Sequence, residues 1–176
     1  MGKAIAPGLL HKSDVGGVVR GLDSPHAVER AVAALGERMR AIGTRLDAVL
    51  LQREVEGDIE ALVGVTTDPT FGPLVVCGLG GVLVELLRDV AFHLTPVTEV
   101  DAREMLDRLR ARKLLDGYRG MPPADRDALV DVILRVSALV EIVPEVQELD
   151  LNPVKVLPPG HGAVVVDARL RLAPPA

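Results

Sequence analysis

Glu148-Leu-Asp-Leu-Asn152-Pro153, followed after Pro158-Pro159-Gly160 by Ala163-Val-Val-Val-Asp167-Ala-Arg169, is the stretch whose reading decides the fold. Val143 to Val156 alternates apolar with polar residues, and Ala163 to Val166 is a short apolar run between Gly162 and Asp167. With Pro-Pro-Gly between them, these runs predict two strands joined by a turn. On that layout Asn152 ends one strand and Asp167 ends its neighbour. Two hard oxygen donors at adjacent strand ends suit a Mg²⁺ that bridges nucleotide phosphates, because Mg²⁺ takes few protein ligands and fills its shell with water and phosphate. The plainer reading is a turn opened by Asn-Pro and a loop capped by Asp. The residue types alone favour the plainer reading.

Working outward, the chain has 176 residues, enough for one substantial domain or two small lobes. Nearly half is apolar, yet there is no Trp, one Tyr and two Phe, so Val, Leu, Ile and Ala must fill the core. The net charge is −5, with no basic block and no aromatic platform, which predicts no nucleic-acid partner. Cys77 stands alone, which rules out an intrachain disulfide and fits a reducing, cytoplasmic setting. No apolar run reaches membrane-spanning length and no signal-peptide pattern opens the chain, so no membrane association is expected. Met1-Gly2 leads straight into strand-like sequence, which predicts a start inside a larger fold.

In chain order, Lys3-Ala-Ile-Ala predicts a strand stopped by Pro7-Gly8, and Leu9 to Gly17 a polar loop before a second strand at Val18-Val19. Ser24-Pro25 opens a helix as N-cap and first residue, running to about Ile42 with Val28, Val32, Leu35 and Met39 on its apolar face. Asp47 to Val55 reads as a buried strand, forming a hairpin with Ile59 to Thr66 across Gly57-Asp58. Asp68 to Pro73 is a turn, Leu74 to Cys77 a strand running into Gly78-Leu-Gly80-Gly81, and Val82 to Leu86 continues extended. Val90 to Leu94 is another strand. Thr98 with Asp101 resembles a capping box and opens a helix to about Arg110. Pro122-Pro123 leads a long helix to about Val140. Strands clustered beside two or three helices predict an α+β or α/β layer arrangement.

Several residues carry chemistry in one reading and none in another. His11-Lys12-Ser13-Asp14 with Gly16-Gly17 joins a titratable nucleophile to a backbone that can approach an anion, the alternative being a polar surface loop. Lys3 is a phosphate-pairing point charge or a solvated terminal lysine. Gly80 and Gly81 offer backbone N–H groups to phosphate or form a tight connection, without a dinucleotide or P-loop spacing. Glu85 and Asp89 share one face of an extended stretch, either beside a metal-bound phosphate or on a solvated edge. Gln52-Arg53-Glu54 presents backbone groups to an adenine edge or is an exposed strand end. Arg119 is a phosphate clamp or a loop cation.

Taken together, these segments resemble one known family. His11-Lys-Ser-Asp-Val-Gly-Gly-Val, Asp68-Pro-Thr-Phe-Gly-Pro, Gly78-Leu-Gly-Gly-Val-Leu-Val-Glu-Leu, Gly117-Tyr-Arg-Gly, Glu148-Leu-Asp-Leu-Asn-Pro and Val166-Asp-Ala-Arg occur in this order. The set closely resembles the ATP-grasp domain of NDP-forming (ADP-forming) acyl-CoA synthetases, also found in multidomain proteins that carry an acetyltransferase domain. It is more distantly similar to the succinyl-CoA synthetase β subunit. The resemblance covers essentially the whole chain and implies an α+β ATP-grasp fold, in which two lobes hold ATP between them.

By that resemblance, residues 1–54 are the remainder of an incomplete first lobe, and residues 55–176 are the second lobe with the metal-binding hairpin. Asn152 and Asp167 match the family's Mg²⁺ ligands, which reverses the plainer reading above. Lys3 matches the nucleotide-binding lysine. Gln52, Arg53, Glu54 and Val55 match the adenine hinge, and Glu60 a ribose contact. His11 matches a histidine that carries phosphate in transit. The implied cofactors are Mg²⁺ and ATP or ADP, and the implied partners are CoA-binding and ligase domains or an acetyltransferase domain. The family reaction converts acyl-CoA, ADP and phosphate to acid, CoA and ATP. A non-catalytic nucleotide-sensing or interaction module is the alternative. An incomplete first lobe also predicts exposed apolar surface around Ile5, Val18 and Val19, and self-association into a homo-oligomer.

Overall fold

A computed structural model describes residues 1–9, 12, 15–57, 59–79 and 88–173, and these divide into two units, Met1–Glu54 and Val55–Ala176. In the first unit, β1 (Gly2–Ile5) lies antiparallel between β2 (Val18–Val19) and β3 (Ala48–Leu51). Helix α1 (Pro25–Ala41) starts as the sequence predicts: the Ser24 hydroxyl accepts the Ala27 N–H, and Pro25 stands where its missing N–H leaves no bond unmade. The helix turns its Ala27, Ala31, Leu35 and Met39 ridge inward, and Leu35 and Met39 form a small core with Ala4 of β1. Val28 and Val32, expected on that face, lie one position further round, and Val32 is 39% exposed.

The expected hairpin of Asp47–Val55 with Ile59–Thr66 does not form. β3 is shorter, mostly exposed, and pairs with β1, whereas β4 (Ile59–Asp68) belongs to the sheet of the second unit. Beyond Leu51 the β1–β3 pairing continues for one more step, between Met1 and Gln52. The Gln52 N–H donates to the Met1 carbonyl at 3.0 Å and the Met1 ammonium donates back to the Gln52 carbonyl at 2.8 Å.

Among the described residues the second unit has a six-stranded antiparallel sheet in the order β6 (Val90–Leu94), β5 (Gly72–Leu79), β4, β7 (Val146–Val156), β8 (Ala163–Val165), with β9 (Ala168–Leu172) also paired to β7. β4 and β5 (Gly72–Leu79) form a hairpin whose turn is held by Asp68 Oδ1, which accepts the Thr70 and Phe71 N–H groups. β6 (Val90–Leu94) follows residues outside those described. Helix α2 (Glu99–Arg108) opens with the predicted capping box, Asp101 standing in for the usual Glu or Gln. Helix α3 (Arg126–Ile142) starts later than Pro122-Pro123 predicts, with Asp125 as N-cap. No helix among the described residues is long and apolar enough to cross a membrane.

Helices α2 and α3 pack on one face of the sheet. Ile59, Ala61, Val63 and Val65 of β4 and Val75, Cys77 and Leu79 of β5 meet Met105 and Leu106 of α2 and Leu129, Ile133, Val136 and Val140 of α3 in one aliphatic core. Cys77 is fully buried there, and burial pushes its thiol up to about 12, so it is an inert core side chain. Strand alternation sends Glu60, Leu62, Gly64 and Thr66 to the opposite face. Asp89 corrects the view of a solvated or phosphate-facing carboxylate: it is 7% exposed, and its two oxygens accept the Arg110 and Ala111 N–H groups at 2.8 Å each. It thereby caps the 3₁₀ turn Arg110–Leu114, which has no cap of its own. Glu85 lies outside the described residues.

Candidate functional site

The candidate site in the second unit is organised by β7 (Val146–Val156), whose Glu148, Asp150 and Lys155 pair with Thr66, Gly64 and Glu60 on the sheet face opposite α2 and α3. One edge of β7 pairs with β4 along its length. Its other edge pairs with β9 (Ala168–Leu172) up to Leu151 and with β8 (Ala163–Val165) from Val154 onward. The handover falls at Asn152-Pro153. There the step from Ala61 to Val63 on β4 faces the longer step from Val154 to Leu151 on β7, which is a β-bulge. Pro153 has no N–H to give a ladder, and a bulge is a place where a strand accepts that loss.

Across the bulge, the Asn152 N–H donates to the Asp167 carbonyl at 3.1 Å, and the Val166 N–H donates to the Pro153 carbonyl at 3.0 Å. The structure thus brings Asn152 and Asp167 together, as the sequence predicts for a Mg²⁺ pair. The route differs: Asn152 is inside β7 at the bulge, not at a strand end, and Asp167 sits between β8 and β9. β9 was not anticipated, although Ala168-Arg-Leu-Arg-Leu has the alternation of a strand.

Glu148 and Asp150 precede Asn152 at alternate positions. Asp150 faces Arg169 in the ladder, and Glu148 Oε2 accepts from Arg171 Nε at 3.0 Å. The Asp150 carboxyl is held above the usual carboxylate range, first by burial and then by the charges of Asp167 and Glu148, against the pull of Arg169. Gly64 faces Asp150 across the β4–β7 ladder, and a Cβ there would run into the Leu149 carbonyl oxygen. The close approach of β7 to β4 therefore requires glycine at this position.

No group of three His, Cys, Asp or Glu side chains among the described residues could hold a metal. Two oxygen donors with an acidic surround are instead the sparse set that Mg²⁺ accepts when phosphate and water complete its shell. Asp150 was not singled out from the sequence, although the Glu-x-Asp-x-Asn alternation signals it.

The remaining predicted residues are distributed over both units. Lys3 lies on β1 opposite Val18 and Leu50 and is 8% exposed, so it is not a solvated terminal lysine. Gln52, Arg53 and Glu54 close the first unit and Val55 opens the second. Glu54 Oε1 accepts the Gly21 N–H at 2.7 Å and lies 3.4 Å from the Met1 ammonium. The Gly21 hydrogen bond is the main reason its carboxyl is held below the usual range. Glu60 pairs with Lys155, a residue the sequence reading did not single out because only the strand register brings the two together. Arg119 has a left-handed backbone, φ 49°, and its guanidinium lies 5.3 Å from the centre of the Tyr118 ring.

His11, Gly80 and Gly81 lie outside the described residues. The Gly17 N–H donates to the Lys12 carbonyl at 2.6 Å, and the Gly17 carbonyl accepts from the Ala4 N–H of β1 at 2.8 Å. A Cβ on Gly17 would stand 2.8 Å from the Lys12 oxygen, so this turn needs the glycine.

Comparisons with known proteins bear on this site. The family model described as "ATP-grasp domain" matches residues 2–172. The chain is 44% identical over 172 residues to the ADP-forming acetate–CoA ligase I of Archaeoglobus fulgidus, a match covering 97% of this chain and 25% of the relative. It is 42% identical over 173 residues to the β subunit of the ADP-forming acetate–CoA ligase II of Pyrococcus furiosus, covering 97% of this chain and 73% of that subunit. The chain thus spans about a quarter of the first relative and about three quarters of the second. Among solved structures, it is similar to the dinucleotide-forming acetyl-coenzyme A synthetase 1 of Ca. Korarchaeum cryptofilum in complex with coenzyme A, Ca-AMPCP and HgCl⁺. That match has a TM-score of 0.90 and 40% identity, and covers 97% of this chain and 75% of the other. A second structure of that synthetase holds coenzyme A and Mg-AMPPCP, with its phosphohistidine segment pointing towards the nucleotide-binding site. Its TM-score is 0.83 at 40% identity, with 97% and 74% covered.

Proposed function

The chain belongs to the ATP-grasp domain family, and on that premise we propose that it is the nucleotide-handling part of an ADP-forming acyl-CoA synthetase. The overall reaction is acyl-CoA + ADP + phosphate ⇌ carboxylic acid + CoA + ATP. This chain's share is phosphoryl transfer between a phosphohistidine and Mg-nucleotide. The observation that carries the reading is the bulge in β7, which ties Asn152 to Asp167 beside Asp150.

In this reading Asn152 and Asp167 hold Mg²⁺, which when bound offsets negative charge on the phosphate oxygens. Backbone hydrogen bonds across the bulge hold the Asn152 and Asp167 main chains side by side before nucleotide arrives, which limits the backbone reorganisation needed at transfer. Lys3 adds a point charge for phosphate, and the Gly80-Gly81 backbone donates to phosphate oxygens. Gln52 to Val55 meet the adenine edge, and Glu60 accepts from the ribose. His11 carries the phosphoryl group on a ring nitrogen: in the direction of ATP formation its N–P bond breaks as a terminal phosphate oxygen of ADP bonds to phosphorus, and in reverse the N–P bond forms as ADP leaves.

We assign residues 1–54 to the first ATP-grasp lobe and residues 55–176 to the second, the same division as the two compact units of the chain. CoA-binding and ligase domains or subunits supply the acyl and CoA sites, consistent with the Archaeoglobus fulgidus relative, of which this chain spans a quarter. The names of those relatives favour catalysis over a non-catalytic sensing or interaction module.

The test is ATP formation from acetyl-CoA, ADP and phosphate by the full-length protein or its assembled subunits. Wild type should form ATP in a Mg²⁺-dependent way, and Asp167→Asn should lower turnover about a hundredfold, as loss of one transition-state electrostatic contact does. A folded wild-type assembly that forms no ATP from any short acyl-CoA would contradict the proposal.

A further inference from the structure

Lys155 lies opposite Glu60 in the β4–β7 ladder, beyond the bulge and on the sheet face opposite α2 and α3. Its ammonium donates to Glu60 Oε1 at 2.8 Å and to the Gly57 carbonyl at 2.8 Å. The Lys155 and Glu60 side chains are 18% and 32% exposed. The pairs made by Arg103, Arg108, Arg135 and Arg171 are, by contrast, at least 42% exposed on both sides. A Cβ on Gly57 would sit 3.2 Å from Leu157 Cδ2 and 3.9 Å from the Cβ and Cδ of Lys155, so this segment lies against the lysine stem. The ammonium is thus held from two directions, by a backbone carbonyl and by a carboxylate, in a half-buried setting where solvent screens the pair less than at the surface.

The contact uses one oxygen of Glu60, and no hydrogen bond among the described residues engages Oε2, which can accept from a ligand. We propose that Lys155 is a positioning residue for nucleotide recognition, one that fixes the Glu60 carboxylate so that its second oxygen accepts from ribose hydroxyls. This rests on the reading of Glu60 as a ribose contact. Two physical effects follow from the geometry. A carboxylate already held in one orientation loses less rotamer freedom when the ribose arrives. Its negative charge is also offset locally, which matters beside an anionic nucleoside diphosphate, because an unpaired carboxylate there would repel the ligand.

The experiment measures binding of Mg-ADP and of its 2′,3′-dideoxy analogue to the full-length protein or assembled complex, by calorimetric titration. Wild type should prefer ADP by about tenfold, the scale of a hydrogen bond to a charged group. Glu60→Gln should reduce that preference. Lys155→Met, which keeps the apolar stem but removes the charge, should reduce it about as far, and the double variant no further. Lys155→Arg, which restores a cation, should recover most of it. A merely structural lysine would lower stability or weaken both ligands equally, leaving the ADP to dideoxy-ADP ratio at the wild-type value. That ratio in Lys155→Met, alongside a lowered ratio in Glu60→Gln, would overturn the role of Lys155 while leaving the ribose contact intact. An unchanged ratio in Glu60→Gln would instead overturn the ribose contact and the positioning role with it.

Discussion

Asp125 and Asp150 are carboxylates in the same unit with opposite surroundings. Asp125 caps α3 and the turn between β7 and β8. Its Oδ1 accepts the Ala128 N–H at 3.1 Å, and its Oδ2 accepts the Gly160 and Gly162 N–H groups at 2.9 Å each. Those backbone donors, the Gly162 N–H first, hold its carboxyl below the usual range. Asp150 stands at the bulge among Glu148 and Asp167, and burial with like charge holds its carboxyl above the usual range. One site is complete when the chain folds. The other gathers carboxylates whose burial and mutual repulsion oppose ionisation, against the pull of Arg169.

Substitutions can break or sharpen that contrast. The largest effect is expected from Gly64→Ala, which forces a Cβ into the Leu149 carbonyl of the neighbouring strand. Pushing β7 away should cost about 3 kcal/mol, the upper range for overpacking, and should weaken Mg-nucleotide binding as well, read by urea denaturation and titration together. Asp125→Ala should cost about 2 kcal/mol, as loss of a strong N-cap does, with a smaller effect on nucleotide because it acts on the turn alone. Asp150→Asn should change stability least, by under about 1 kcal/mol, because it removes a charge that burial and its neighbours disfavour.

The same contrast has a pH signature at Asp125. Its folded value is depressed, so its contribution is fully present above the unfolded aspartate value of about 3.9 and fades as pH falls through the lower folded value. Denaturation of wild type and Asp125→Asn between about pH 2.5 and 7 should show a stability gap that is constant above about pH 5 and closes in acid. A gap that stays constant to the lowest pH would remove the charge of Asp125 from the account.

Much of the fold was legible because its signals are local. Ser24-Pro25, the Thr98–Asp101 box and the Val90–Leu94 strand depend on residues a few positions apart, and all stand where the sequence puts them. The misplaced features depend on distant partners. Ala48–Leu51 is an apolar run without alternation, so nothing in it says whether β1 or β4 is its neighbour. The Asp89 cap spans more than twenty residues, and the start of α3 is set by Asp125, which also ties down the distant Gly160–Gly162 turn.

The site divides the same way. The Asn152 and Asp167 juxtaposition was readable from an ordered set of motifs. The bulge that produces it, the acidic surround at Asp150 and the Lys155–Glu60 pair needed the register of β7 against both neighbours.

The central claim is that Asn152 and Asp167 form a Mg²⁺ site for a nucleotide, and calorimetric titration of Mg-ADP into full-length wild type and Asp167→Asn tests it most directly. Asparagine keeps the shape and removes the charge, so the fold should persist, with an unchanged melting temperature as the check. Affinity should fall at least about tenfold, since loss of even an outer-shell partner of a metal has that effect. Equal affinity in the two proteins, with both folded, would contradict the assignment.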